Sequence, residues 1–169
     1  MTTTVSRAQF IRGDFQGGKK PLRPPWALNE SHFIDHCNHC GACIQYCPQT
    51  ILIEGAGRLP EVDFSRGECT FCAACVDHCD SRALQRQDGE PPWRLQAFIS
   101  DACIAYAGVF CIACKEQCEA GAISFKNGTG GIPLPLIRHD LCSGCGACHQ
   151  PCPVSAMEIR AEAPEESEA

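Results

Sequence analysis

Apolar residues come along this chain in short pieces, spaced around stretches dense in cysteine. "HFID", "EVDF", "AFIS" and "PLIRH" each precede such a stretch, and "TILI", "RALQ", "GAISF" and "SAMEI" follow them. The pieces alternate only partly between apolar and polar positions, which predicts short strands before and after every cysteine stretch. Within "CIQYCPQT", "CVDHCDSRA", "CKEQCEAGA" and "CHQPCPVSA" there is room for one or two turns of helix. Leu, Ile, Val and Phe make up only about a fifth of the chain, close to the composition at which apolar burial alone fails to fold a polypeptide. Something besides a core must hold these elements together.

The sixteen cysteines fall into four groups. The first is Cys37, Cys40, Cys43 and Cys47, and the second Cys69, Cys72, Cys75 and Cys79. The third is Cys103, Cys111, Cys114 and Cys118, and the fourth Cys142, Cys145, Cys148 and Cys152. Groups one, two and four read C-x2-C-x2-C-x3-C, while group three carries five extra residues between its first two cysteines. First cysteines follow one another at 32, 34 and 39 residues, an internal repeat of nearly fixed period. A longer repeat overlies it: "RPPWALNESHFIDHC" leads into group one and "EPPWRLQAFISDAC" into group three. The expected organisation is therefore a basic, flexible segment over 1–25, modules over 26–87 and 93–160, and an acidic disordered tail over 161–169. The fold class expected is α+β, with tandem dicluster-ferredoxin-like modules.

Chemistry narrows the role of the thiols. Disulfides need an oxidising compartment, and residues 1–26 hold neither an apolar run of signal-peptide length nor an arginine beside Arg7. Cysteines at every third position are also crowded for independent pairs. No stretch approaches membrane-spanning length, so a cytoplasmic chain is expected. Zinc is the main rival, but zinc sites join C-x2-C pairs across a longer gap and do not require a third and fourth cysteine in each cluster. The C-x2-C-x2-C-x3-C run is the bacterial ferredoxin signature, in which the fourth cysteine ligates the other cluster of a pair. Four such groups predict four 4Fe-4S clusters. Crossed ligation assigns Cys37, Cys40, Cys43 and Cys79 to one, and Cys69, Cys72, Cys75 and Cys47 to its partner. In the second half it assigns Cys103, Cys111, Cys114 and Cys152 to one, and Cys142, Cys145, Cys148 and Cys118 to the other. The "PPW" leaders favour pairing group one with two and three with four; pairing two with three is the alternative.

Details modify this frame. Gly41, Gly144 and Gly146 suit the tight loops, since glycine lets backbone approach a bulky group. Asp80 and Glu119 stand where Pro48 and Pro153 follow the other fourth cysteines. The insertion "AYAGVF" is read as shielding its cluster, with a partner contact as the alternative. The six histidines are expected at the surface or behind the ligands, Trp26 and Trp93 as packing anchors, and no catalytic pair stands out. Formal net charge is −6, and four oxidised clusters would carry it to about −14, which disfavours nucleic acid and favours a basic partner surface. Arg7, Arg12, Lys19, Lys20 and Arg23 make the N-terminal segment locally basic, read as a solvated arm or a docking segment.

The serine–arginine segment, "RPPW", the four groups and "DACIAYAGVFCIACKEQC" together resemble the NapF family, ferredoxin-type accessory proteins of the periplasmic nitrate reductase system. The resemblance implies a cytoplasmic, non-enzymatic protein with four 4Fe-4S clusters. It implies a partner, the precursor of the catalytic subunit of that reductase, and a role in its maturation by electron or cluster supply. The alternatives are a general electron-transfer ferredoxin and an interaction protein whose clusters are purely structural.

Overall fold

The computed structural model describes residues 21–87 and 89–161. The readings placed on 1–20 and on 162–169 lie outside the described residues. Two units are present: the first runs to Asp63 and resumes over Ala73–Glu90, and the second takes Phe64–Cys72 and Pro91 onward. Phe64–Cys72 thus falls in the second unit, whereas a first module over 26–87 would keep it in the first.

In the first unit, α1 (Glu30–His36) leads to α2 (Ala42–Gln45), then β1 (Leu52–Glu54), β2 (Pro60–Val62) and α3 (Ala74–Asp77). Strands β1 and β2 pair antiparallel, with Leu52 opposite Val62, and Ala27 makes an isolated bridge to Leu84. Phe33, Ile51, Leu52, Leu59, Ala83 and Leu84 are buried there. "HFID" is helical rather than extended. Asn29 caps α1, its side chain accepting from the His32 amide, and Glu30 occupies the first turn, where a carboxylate complements the helix dipole.

Residues 21–25, expected to be flexible, are folded into this unit. The Leu22 carbonyl accepts from the Val62 amide at 2.8 Å, and Pro24 is buried. The Arg23 side chain is only 10% exposed; it donates twice to Glu30, at 3.0 and 2.9 Å, and once to the Pro60 carbonyl. Its guanidinium also lies 5.3 Å from the centre of the Phe33 ring. A bidentate, part-buried pair of this kind is stronger than a solvated one.

The second unit repeats the plan with longer strands: β3 (Leu95–Ile99), α4 (Ala113–Glu116), β4 (Ile123–Asn127), β5 (Pro133–Ile137) and β6 (Met157–Ala161). Strand β3 pairs antiparallel with β6, and β4 with β5. Ala161, assigned by sequence to a disordered tail, closes β6 opposite Leu95. Leu95, Ala97, Ala122, Ile123, Met157 and Ile159 form the buried layer, and group four makes turns where a helix was expected. Trp93 donates from Nε1 to the Ser143 carbonyl at 3.0 Å and meets Phe64 and Phe71 edge-on.

Two backbone signatures recur through the groups. The residue three after each fourth cysteine is left-handed: Thr50, Arg82, Gly121 and Ser155 have φ between 51 and 63°. Each donates its amide to that cysteine's carbonyl, at 3.0 to 3.2 Å. The regular groups also place left-handed residues on either side of their second cysteine: His39 and Gly41, Phe71 and Ala73, Gly144 and Gly146. Group three has no such pair. Ile112 has φ of −130°, and the chain turns instead at Gly108. The extra residues relieve the loop of that tight path.

Gly144 shows how tight the path is. A Cβ there would run into the Leu95 carbonyl, whereas at Gly41, of similar φ, it would meet nothing within 4 Å. Gly41→Ala is expected to cost about 1–2 kcal/mol for the left-handed conformation, since no protein atom stands in the way. Gly144→Ala adds overpacking of about 1–3 kcal/mol. Thermal unfolding of the two variants checks this, the second melting well below the first.

Candidate iron–sulfur sites

The loops and the turns after them bring cysteines from different groups around shared cavities. In the first unit, Cys37, Cys40 and Cys43 ring a cavity with Cys79, which follows α3. In the second unit, Cys103, Cys111 and Cys114 ring one with Cys152. Cys142, Cys145 and Cys148 ring another with Cys118. In every case three cysteines of one group meet the fourth of another, because a one-turn helix, or in group four a run of turns, carries the group's fourth cysteine away from its first three. Of the remaining cysteines, Cys47 and Cys75 belong to the first unit, and Cys69 and Cys72 to the second.

Apolar side chains line each cavity: Phe33 and Leu84 in the first, where Asn38, Arg58 and Ser81 also stand, Ile104 and Met157 in the second, and Ile123 and Ile159 in the third. Burial, first of all, raises the Cys43 and Cys114 thiols to about 11 and the Cys148 thiol to about 12. Neighbouring cysteines add to it. Cys43 feels Cys37, then Cys79, while Cys114 feels Cys111 and Cys103, with Cys152 contributing less. Cys148 feels Cys145 and Cys142, then Cys114, so the two cavities of the second unit are neighbours. Four thiolates in an apolar pocket repel one another unless positive charge sits among them.

The donor set fits an iron–sulfur cluster. All four ligands are soft thiolates, as such clusters require. Among the described residues, no three or more His, Cys, Asp or Glu side chains gather closely enough for a single ion. Backbone amides supply further polarity: Leu84 donates to Cys79 Sγ and Ala97 to Cys142 Sγ, both at 3.4 Å. Ala156 donates to Cys152 Sγ at 3.2 Å, and Phe71 to Cys69 Sγ at 3.4 Å. Hydrogen bonds to ligand sulfur help set cluster potential. His39 and His78 line the first cavity, and His78 stacks on Tyr46 with ring centres 3.7 Å apart. His149 bonds the Met157 carbonyl through Nδ1 at 2.6 Å.

Sequence reasoning missed the Arg23 pair, since only the fold closes Glu30 and the Pro60 carbonyl around that side chain. It also missed the left-handed His39, Phe71 and Ala73, for which side-chain type offers no signal. Among the described residues no helix is long and apolar enough to cross a membrane.

Comparison with known proteins gives this geometry a lineage. A model for the 4Fe-4S dicluster domain matches residues 32–80, spanning groups one and two. A model for the 4Fe-4S binding domain matches residues 135–158, which hold group four. The chain is 42% identical over 157 residues to the ferredoxin-type protein NapF of Escherichia coli K12, covering 93% of this chain and 95% of that one. It is 40% identical over 165 residues to the ferredoxin-type protein NapF of Haemophilus influenzae, covering 92% and 93%. Similarity extends to the ferredoxin-type protein NapG of Haemophilus influenzae, at 30% identity over 83% of this chain and 58% of that protein. With such identity across nearly the full length of both chains, this chain belongs to the NapF family of ferredoxin-type proteins.

Proposed function

We propose that this chain holds four 4Fe-4S clusters and acts in the cytoplasm as an accessory protein in the maturation of periplasmic nitrate reductase. Its partner in this reading is the cytoplasmic precursor of the catalytic subunit, to which it supplies electrons or clusters. It carries out no catalysis of its own. The ligand sets are Cys37, Cys40, Cys43 with Cys79; Cys69, Cys72, Cys75 with Cys47; Cys103, Cys111, Cys114 with Cys152; and Cys142, Cys145, Cys148 with Cys118. The observation that supports the cluster reading is the meeting of three cysteines from one group with the fourth of another around each of three cavities. Full-length relationship to NapF proteins supports the accessory role.

When bound, such clusters supply one-electron transfer at potentials that the protein adjusts. The chain's own part is to hold the sulfurs in place, donate amides to them and line the cavities with apolar side chains. The closeness of Cys114 to Cys148 favours a second reading, in which the chain relays electrons as a general respiratory ferredoxin.

Anaerobic pull-down with the loaded chain separates these readings. Maturation predicts retention of the cytoplasmic precursor and little of the mature periplasmic reductase. Binding to neither leaves the general carrier and removes the accessory role.

A further inference from the structure

Group three turns apolar side chains outward from a loop that the other groups lack; Tyr46 of group one is 49% exposed as well, but its ring stacks on His78. Tyr106, Val109 and Phe110 are 48, 51 and 64% exposed, and Val154 is 39% exposed. The loop is not a loose excursion. Amides of Tyr106, Ala107, Gly108 and Val109 all bond to carbonyls at Cys103 to Ala105, at 3.0 to 3.2 Å. Its inward half is apolar too, with Ala105 buried and Ile104 lining the cavity. Shielding is therefore done by Ile104 and Ala105, and it leaves the exposed aromatic rings unexplained. Val154 lines the same cavity from the chain segment after Cys152, so two segments put exposed apolar side chains beside one set of four cysteines.

We propose that Tyr106, Val109, Phe110 and Val154 form a docking surface for a folded protein partner that offers an apolar patch rimmed by lysine or arginine. This rests on the accessory reading above and names the part of the chain that meets the precursor. Exposed aromatics are what interfaces recruit, and water-exposed rings of this size are otherwise unfavourable. The charge of the partner follows from the rim. Asp101 stands exposed two residues before Cys103, at the start of the loop, and the chain as a whole carries −6. A second copy would bring Asp101 and the same net charge against itself, whereas a basic rim is complementary. Docking here lies beside the set Cys103, Cys111, Cys114 and Cys152, since the loop runs between Cys103 and Cys111 and Val154 lines their cavity.

Affinity of the loaded full-length chain for the purified precursor tests this, with iron content and visible absorbance recorded for each variant. Tyr106→Ser with Phe110→Ser is expected to weaken binding about tenfold or more. Leu141→Ser, which removes an exposed apolar side chain elsewhere, should change it by less than about twofold. Asp101→Lys, a second variant that leaves the loop intact, should weaken binding at low salt and lose its effect at high salt. If the wild type binds and the double variant binds equally well, the docking surface is wrong and the accessory reading stands. If sedimentation finds a wild-type dimer that the double variant abolishes, the occupant is a second copy and the proposal is overturned. If the wild type does not bind the precursor at all, the accessory reading falls and takes this surface with it.

Discussion

Anaerobic removal of iron from the loaded protein is expected to unfold it, not to leave an empty copy of the same fold. The helices after the first, α2 to α4, have four residues each, too few to persist alone. Among the described residues every sheet has two strands, marginal in isolation. His39, Phe71 and Ala73 sit at positive φ, a conformation costing such residues roughly 1–2 kcal/mol each. Without metal the buried thiols have neither charge partners nor enough apolar neighbours to replace them. Hydrogen exchange before and after chelation checks this: protected amides in β3–β6 and β4–β5 are expected to become unprotected together. Retention of that protection in an iron-free chain would mean that the clusters are passengers on a self-sufficient fold.

Acidification should strip the iron, with a sign that reverses once the metal is gone. The Cys43, Cys114 and Cys148 thiols stand at about 11, 11 and 12 without metal, against 9.0 for a free thiol. At neutral pH each is protonated unless a cation holds it ionised, so loading releases protons and falling pH opposes it. On whatever fraction of metal-free chain is still folded, the raised values act the other way. Their stabilisation is full below pH 9.0, the unfolded value, and is lost as pH rises through about 11 and 12. Iron release into excess chelator is therefore expected to accelerate by about tenfold or more between about pH 8 and pH 6. A pH-independent rate would indicate that thiol protonation is not the step that frees the metal.

Much of this was legible in the sequence, for identifiable reasons. The apolar pieces flanking the cysteine groups became β1, β2 and β3 to β6 because each has a partner piece in its own half. "RALQ" shrank to a single bridge, Leu84 to Ala27. "HFID" failed as a strand because Asn29 and Glu30 open a helix, and those residues could have signalled it. The gathering of cysteines followed from spacing, since a C-x2-C-x2-C loop closes on itself and the following turn points its fourth cysteine elsewhere. What was hidden depends on distant residues. Arg23 reads as one more charge in a basic segment until Glu30 and the Pro60 carbonyl close around it. The direction of Tyr106 and Phe110 was hidden as well, because a loop has no periodicity to separate inside from outside.

Iron and sulfide counts on paired cysteine replacements test crossed ligation most directly. The wild type, purified anaerobically, should hold about sixteen iron and as many sulfide. Cys103→Ser combined with Cys152→Ser removes two ligands from one set and should lower iron by about four. Cys142→Ser combined with Cys152→Ser touches two sets and should lower it by about eight. The reverse order, with the second pair losing one cluster and the first pair two, would mean that Cys152 binds with the three cysteines just before it, and the crossed assignment would be wrong.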